Sequence, residues 1–151
     1  MKRIIIVIAV LLMVTNVFGT ELTDGSGTTT VLYREESHYS VRIPETITVD
    51  GTLYGFTASE MDLNENERVL VTVSGLEGDG ILQMMSRTNK WMMAQFYDQN
   101  GKTVTDGRVV SEFMNGVLEG YGKLYALPLQ TEGAGEYSGS ITFNISLVNE
   151  G

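Results

Sequence analysis

Apolar and polar residues alternate most regularly between Tyr137 and Leu147. One parity reads Tyr, Gly, Ile, Phe, Ile, Leu and the other reads Ser, Ser, Thr, Asn, Ser. A period of two sends the two sets to opposite faces of a strand. At about 3.3 Å per residue the run predicts one strand of roughly 36 Å. A strand of that length needs several neighbours, so the pattern predicts an all-β body around it.

The same alternation, weaker, recurs upstream. Thr28 to Tyr33 is a short β-prone run and a candidate first strand. Tyr39, Val41 and Ile43 alternate with Ser40 and Arg42 and predict a half-buried strand ending at Pro44. Ile47 to Val49 reads as a short extension before the Asp50-Gly51 turn, and Tyr54 to Ser59 as the next strand. Met61 to Glu67 reads as a loop, and Val69, Val71 and Val73 as a strand closed by Ser74-Gly75. Ile81 to Met85 follows the Asp79-Gly80 turn. Trp91 to Tyr97 fits two turns of helix or a strand; its length, its aromatics and the Asn100-Gly101 turn after it favour the strand. Arg108 to Met114 is a further candidate, and Tyr121, Tyr125, Leu127 and Leu129 share one parity of another. About eight strands separated by turns, with no convincing amphipathic helix, predict an antiparallel β-sandwich.

The N-terminus follows a different pattern. Lys2 and Arg3 precede an apolar run from Ile4 to Val14, and Val17-Phe18-Gly19 supplies small residues before a cut. This is the pattern of a secretory signal peptide, residues 1–19. The run is short of the ~20 residues of a spanning helix, so no stable membrane insertion is expected after cleavage. Residues 20–36, rich in Gly, Ser and Thr, read as a flexible leader that contains the candidate first strand, and residues 37–151 as the sandwich domain. Loss of Lys2 and Arg3 takes the formal charge from −9 to −11, which disfavours nucleic acid as a partner. With no cysteine in an exported chain, disulfides, thiol catalysis and thiolate metal sites are excluded, and a bacterial exporter is expected.

The segments Tyr39-Ser40-Val41-Arg42-Ile43-Pro44-Glu45-Thr46-Ile47-Thr48-Val49-Asp50-Gly51 and Gly135-Glu136-Tyr137-Ser138-Gly139-Ser140-Ile141-Thr142-Phe143 carry a resemblance. The chain resembles small secreted or surface-displayed immunoglobulin-like sandwich modules of Gram-positive bacteria. The resemblance implies an immunoglobulin-like fold and a role in the cell envelope, adhesion or extracellular matrix, with no cofactor. It departs from true immunoglobulin domains at Gly139, which stands where their second cysteine would be.

Candidate chemistry is sparse. Asp62, Asn64 and Asn66 have the alternate spacing that opens a calcium loop, but Glu67 and Val73 replace the turn glycine and the closing bidentate carboxylate, so no calcium site is expected. Met84, Met85, Met92, Met93 and Met114 offer thioethers to Cu(I), yet adjacent methionines in a strand diverge. His38 is the single histidine, and no serine lies in a nucleophile elbow, so an enzyme is not expected. Trp91, Tyr97, Tyr121 and Tyr125 are the residues able to present an aromatic platform to a sugar or a peptide. The sequence thus predicts a secreted or cell-surface, non-enzymatic protein of the envelope, adhesion or matrix. A carbohydrate- or peptide-binding module is the alternative and a secreted hydrolase the second. Protein or cell-wall carbohydrate partners follow from these readings, together with self-assembly through the Thr28–Tyr33 run.

Overall fold

The computed structural model describes residue 33 and residues 35–151, so the signal peptide, most of the leader and Thr28 to Leu32 of the candidate first strand lie outside the described residues. From Glu35 to Gly151 the chain forms one unit. Its elements are β1 (His38–Arg42), β2 (Tyr54–Asp62), β3 (Glu67–Ser74), β4 (Ile81–Ser86), β5 (Trp91–Asp98), β6 (Val109–Phe113), β7 (Glu119–Thr131), β8 (Tyr137–Ser138) and β9 (Thr142–Asn149). The fold is all-β, every strand pair is antiparallel, and no helix occurs among the described residues.

Strand β7 joins two limbs. On one limb it pairs with β2, which carries β1, and with β5, which carries β4 and then β8. On the other it meets β6 at Tyr121 and Glu112, and β6 leads to β3 and β9. The inner faces of the limbs come together: Phe56 of β2 meets Phe143 of β9 edge-on, with ring centroids 5.1 Å apart and planes at 80°. Two packed antiparallel layers are consistent with the expected sandwich.

Alternation decides what lies between the layers. Val69, Val71 and Val73 of β3 and Phe113 of β6 are fully buried. They share a core with Phe56 and Ala58 of β2, Ala94 and Phe96 of β5, and Leu124 and Ala126 of β7. Burying one such aliphatic side chain contributes about 1.5–3 kcal/mol, so the valine triplet is a large part of what holds the layers together.

The dual role of β7 depends on glycine. Its inward positions read Gly120, Gly122, Leu124, Ala126, and two of its residues bulge outward from β2 between the pairs Gly55–Lys123 and Thr57–Glu119. A Cβ on Gly120 would collide with Ser111 Oγ and the Phe113 ring, and one on Gly122 with the Val110 carbonyl oxygen. Gly122 also sits at φ +131°, a conformation other residues rarely adopt. These two positions let β7 press against β6 while continuing alongside β5.

Several expectations need correction. The run from Tyr137 to Leu147 is not one strand: β8 pairs with β4, β9 pairs with β3, and the chain crosses between limbs at residues 139–141. Gly139 permits the crossing, because a side chain there would press on Met84 and Leu82. Ile47 to Val49 forms no strand, although Ile47 and Val49 pack against the core. The loop read from Met61 to Glu67 is shorter, since Met61 and Asp62 end β2 and Glu67 begins β3. Nine strands occur among the described residues, where the pattern predicts about eight.

Two predictions follow from this packing. Phe56→Ala should cost about 3–5 kcal/mol, the usual range for a buried phenylalanine. A double-mutant cycle with Phe143→Ala should leave a coupling of about 0.5–1.5 kcal/mol in denaturant titrations, because the edge-on contact joins the limbs. Strict additivity would mean that the limbs do not meet there. Gly122→Ala should lose at least about 1–3 kcal/mol through backbone strain, whereas Gly116→Ala, in an open turn, should lose no more than that strain. Equal tolerance at both positions would remove Gly122 as the point where β7 meets β6.

Candidate functional site

The outer face of β4, β5 and β7 carries a group of large side chains, Trp91, Met93, Tyr97 and Tyr125 half-buried and Met85 and Leu127 exposed. With Ala94 and Phe96 turned inward on β5, the positions of Trp91, Met93, Gln95 and Tyr97 point outward. With Leu124 and Ala126 inward on β7, Tyr125 and Leu127 share that outer face. Strand register then builds the patch. Tyr97 lies opposite Tyr125, Gln95 opposite Leu127, and Trp91 opposite Met85 of β4. Trp91 and Tyr97, six positions apart on one strand, set its length at about 20 Å.

The polar groups within the patch hold it in shape. The Tyr97 and Tyr125 rings stack at 5.3 Å with an interplanar angle of 20°. Tyr97 donates its hydroxyl hydrogen to Gln95 Oε1 at 2.7 Å, and Gln95 Nε2 donates to the Asp79 carbonyl at 3.1 Å. At the other end the Trp91 backbone N–H donates to Glu132 Oε2 at 2.9 Å. Beyond it the β4–β5 turn carries Arg87 and Lys90, which line an open hollow of about 480 Å³ with Met85, Glu136 and Tyr137. The Tyr97 and Tyr125 rings, held in this way, would lose little rotamer freedom on meeting a further surface.

Of the four aromatics singled out in the sequence, the structure brings Trp91, Tyr97 and Tyr125 onto one face. Tyr121 lies elsewhere, 59% exposed, where β7 has moved from β5 to β6. Sequence reasoning missed Met85, Met93, Gln95 and Leu127, which complete the face. The signal was present: Leu127 shares the parity of Tyr125, and Met93 and Gln95 that of Trp91.

The other candidates are placed as follows. Glu67 closes the β2–β3 turn, accepting hydrogen bonds from the Asn64 N–H at 3.1 Å and from the Ser37 hydroxyl. No group of three or more His, Asp or Glu side chains able to hold a metal occurs among the described residues. His38 opens β1 opposite Asp62. Met84 and Met92 face one another across β4 and β5, whereas Met114 lies in the β6–β7 turn. A second open groove, of about 440 Å³, runs between residues 43–49 and the β8–β9 crossing and is floored by Leu82, Met84, Phe96 and Phe143.

Asp98 fixes the Tyr97 end of the face. Its carboxylate accepts from the backbone N–H groups of Asn100 and Lys102 at 2.9 and 3.0 Å and from Arg108 Nη2 at 2.9 Å. The Lys102 N–H foremost, then the Asn100 N–H and the Arg108 charge, hold its carboxyl below the usual carboxylate range. A lowered pKa stabilises the fold above the unfolded value of 3.8, and that contribution is lost as the pH falls through the folded value. Asp98→Asn should therefore be less stable than the parent near neutral pH, with the gap closing below pH 3.8. Denaturant titrations at several pH values check this; a gap independent of pH would remove the carboxylate charge from the account. Comparisons of the chain with protein-family models, curated proteins and solved structures find no match.

Proposed function

We propose that this chain is a non-enzymatic exported protein of the bacterial cell envelope, adhesion apparatus or extracellular matrix, and that it makes contact through the outer face of β4, β5 and β7. The observation that carries this reading is the row of Trp91, Met93 and Tyr97 beside Leu127 and Tyr125, whose ring stacks on that of Tyr97. Large side chains turned outward on a sheet stabilise the fold less than the same side chains turned inward, so their placement favours a contact outside the chain. The basic first residues, apolar run and small residues before Thr20 support export. The resemblance of the Tyr39–Gly51 and Gly135–Phe143 segments to immunoglobulin-like modules of Gram-positive bacteria supports the envelope.

A second reading, a carbohydrate-binding module, is favoured by one feature of the same face. The stacked Tyr97 and Tyr125 rings lie beside Gln95, which places a flat apolar surface next to an amide. A pyranose ring has the matching pattern, with an apolar C–H face and polar hydroxyls at its rim.

Trp91 is the single tryptophan, so its fluorescence reports directly on this face. Titration with solubilised cell-wall polysaccharide should shift or quench that emission under the carbohydrate reading. Tyr125→Ala should weaken the response about tenfold, since one ring–sugar contact contributes on the order of 1 kcal/mol. Binding to protein components of the envelope with no response to polysaccharide would favour the first reading. No binding to either, with Tyr125→Ala folded and equally inert, would overturn both.

A further inference from the structure

The geometry points to β9 as a self-association edge, through which two copies of this chain pair antiparallel about a two-fold axis at Ile145. β9 lies at the end of one limb and pairs only with β3 among the described residues. A strand edge presents unpaired N–H and C=O groups, and natural proteins blunt such edges with charge, proline, bulges or brevity. The other edges of this fold are blunted. β1 carries His38 and Arg42 and pairs with β2 through a bulge, and β8 is two residues long. β9 has none of these defences. Thr142 to Asn149 contains no charge, proline or glycine, and it pairs with β3 over eight consecutive residues without a register shift.

The inward side of β9 is also incompletely covered. Phe143 packs on Phe56, yet Ile145 and Leu147, on the same parity, remain 37% and 38% exposed. Their partners across β3, Val71 and Val69, are fully buried. The apolar stripe therefore runs on past the last strand, and an added strand would continue it.

The occupant is a second β9 because the strand is complementary to itself. With Ile145 opposite Ile145 of the other copy, Phe143 meets Leu147, Asn144 meets Ser146, and Thr142 meets Val148. Phe143 with Leu147 matches apolar with apolar on the inward face, Asn144 with Ser146 matches amide with hydroxyl on the outward face, and Thr142 with Val148 sets two β-branched side chains of similar shape against each other. Paired residues have the same parity, so the groups left free by β3 point at each other in both copies. Shifting the register by two residues, to place Ser146 on the axis, sets Phe143 against Asn149 and Asn144 against Val148. A shift by one would turn the inward face of one copy to the outside. Charge argues the same way. In a chain of formal charge −9, the Ile145 register brings no two like charges opposite each other, since Glu150 would meet Ser140. An isologous contact of this kind closes on itself as a dimer. β9 lies on the other limb from the aromatic face, so the two proposals fail independently.

The absence of native cysteine makes the test direct. Single-cysteine variants of the full chain are treated with a short thiol cross-linker and read on a non-reducing gel. Opposed residues lie about 4.5–5.5 Å apart, so Ile145→Cys should cross-link to itself. Thr142→Cys and Val148→Cys should each stay uncross-linked, because their own copies lie roughly 20 Å apart, yet they should cross-link when mixed. Analytical ultracentrifugation of the parent should show a monomer–dimer equilibrium. Ile145→Lys and Ile145→Glu should each be monomeric and should form a dimer when mixed, with circular dichroism confirming that both remain folded. If the charged variants unfold, the cysteine pattern alone decides. A monomeric parent without cross-links would overturn the proposal, as would a dimer linked through other positions. Cross-linking of Val31→Cys to Ile145→Cys in place of the Ile145 self-link would assign the edge to the Thr28–Tyr33 run and overturn it equally.

Discussion

Hydrogen bonding by β7 is the constraint on which the rest of the structure depends. A strand has two edges, and β7 serves three neighbours by changing partner along its length: β2 on one side, and β6 then β5 on the other. The change occurs at Gly120–Gly122, where the missing side chains let β6 approach and the bulge against β2 absorbs the extra length. The main-chain hydrogen bonds that tie the two limbs together therefore pass through this strand. The packing of Phe56 on Phe143 then completes at the far side what β7 begins by hydrogen bonding.

That arrangement also explains the outer face. Where β7 passes between limbs its inward residues must be small, and Gly120, Gly122 and Ala126 leave only Leu124 to fill the core. The core volume comes instead from Val69, Val71, Val73 and Phe113 of β3 and β6, with Phe56 of β2 and Phe96 of β5. The large residues of β7 accordingly lie on its outer side, Tyr125 half-buried and Leu127 exposed. Cross-strand pairing then brings Tyr125 to Tyr97 and Leu127 to Gln95.

How much of this was legible in the sequence follows from the same physics. Period-two alternation with turn residues located β2, β3, β4, β5 and β6 to within a few residues, because each has a clear parity or clear boundaries. The alternation could not say which parity faces inward on β7. Tyr121, Tyr125, Leu127 and Leu129 look like the core set, yet the buried residues are Leu124 and Ala126. The break at Gly139 was also hidden, since glycine keeps the period while giving up the continuity of the strand. Of the four aromatics, Trp91, Tyr97 and Tyr125 come to one outer face. Their neighbours Met93 and Gln95 were missed because neither is aromatic. Tyr121 falls beside β6 instead, and the exchange of β5 for β6 leaves no mark on the period.

Electrostatics then restricts where so acidic a surface can meet another copy of itself. At physiological ionic strength the Debye length is about 8 Å, so distant carboxylates slow encounter but scarcely weaken a formed contact. What decides is the charge within the few ångströms spanned by paired strands, about 4.8 Å apart. Asp62 lies on β2, Asp98 on β5 and Glu119 on β7, whereas Arg68 on β3 is taken up by Glu112 and Glu150. The second of these ion pairs, with the hydrogen bond from the Glu150 N–H to the Asn66 carbonyl, holds the C-terminal end of β9 against β3. The strand that leads up to this anchor, Thr142 to Asn149, carries no charge. Repulsion that keeps the rest of the surface apart has nothing to act on along β9, so the same charge that opposes random association leaves this edge as the place where main chains can pair.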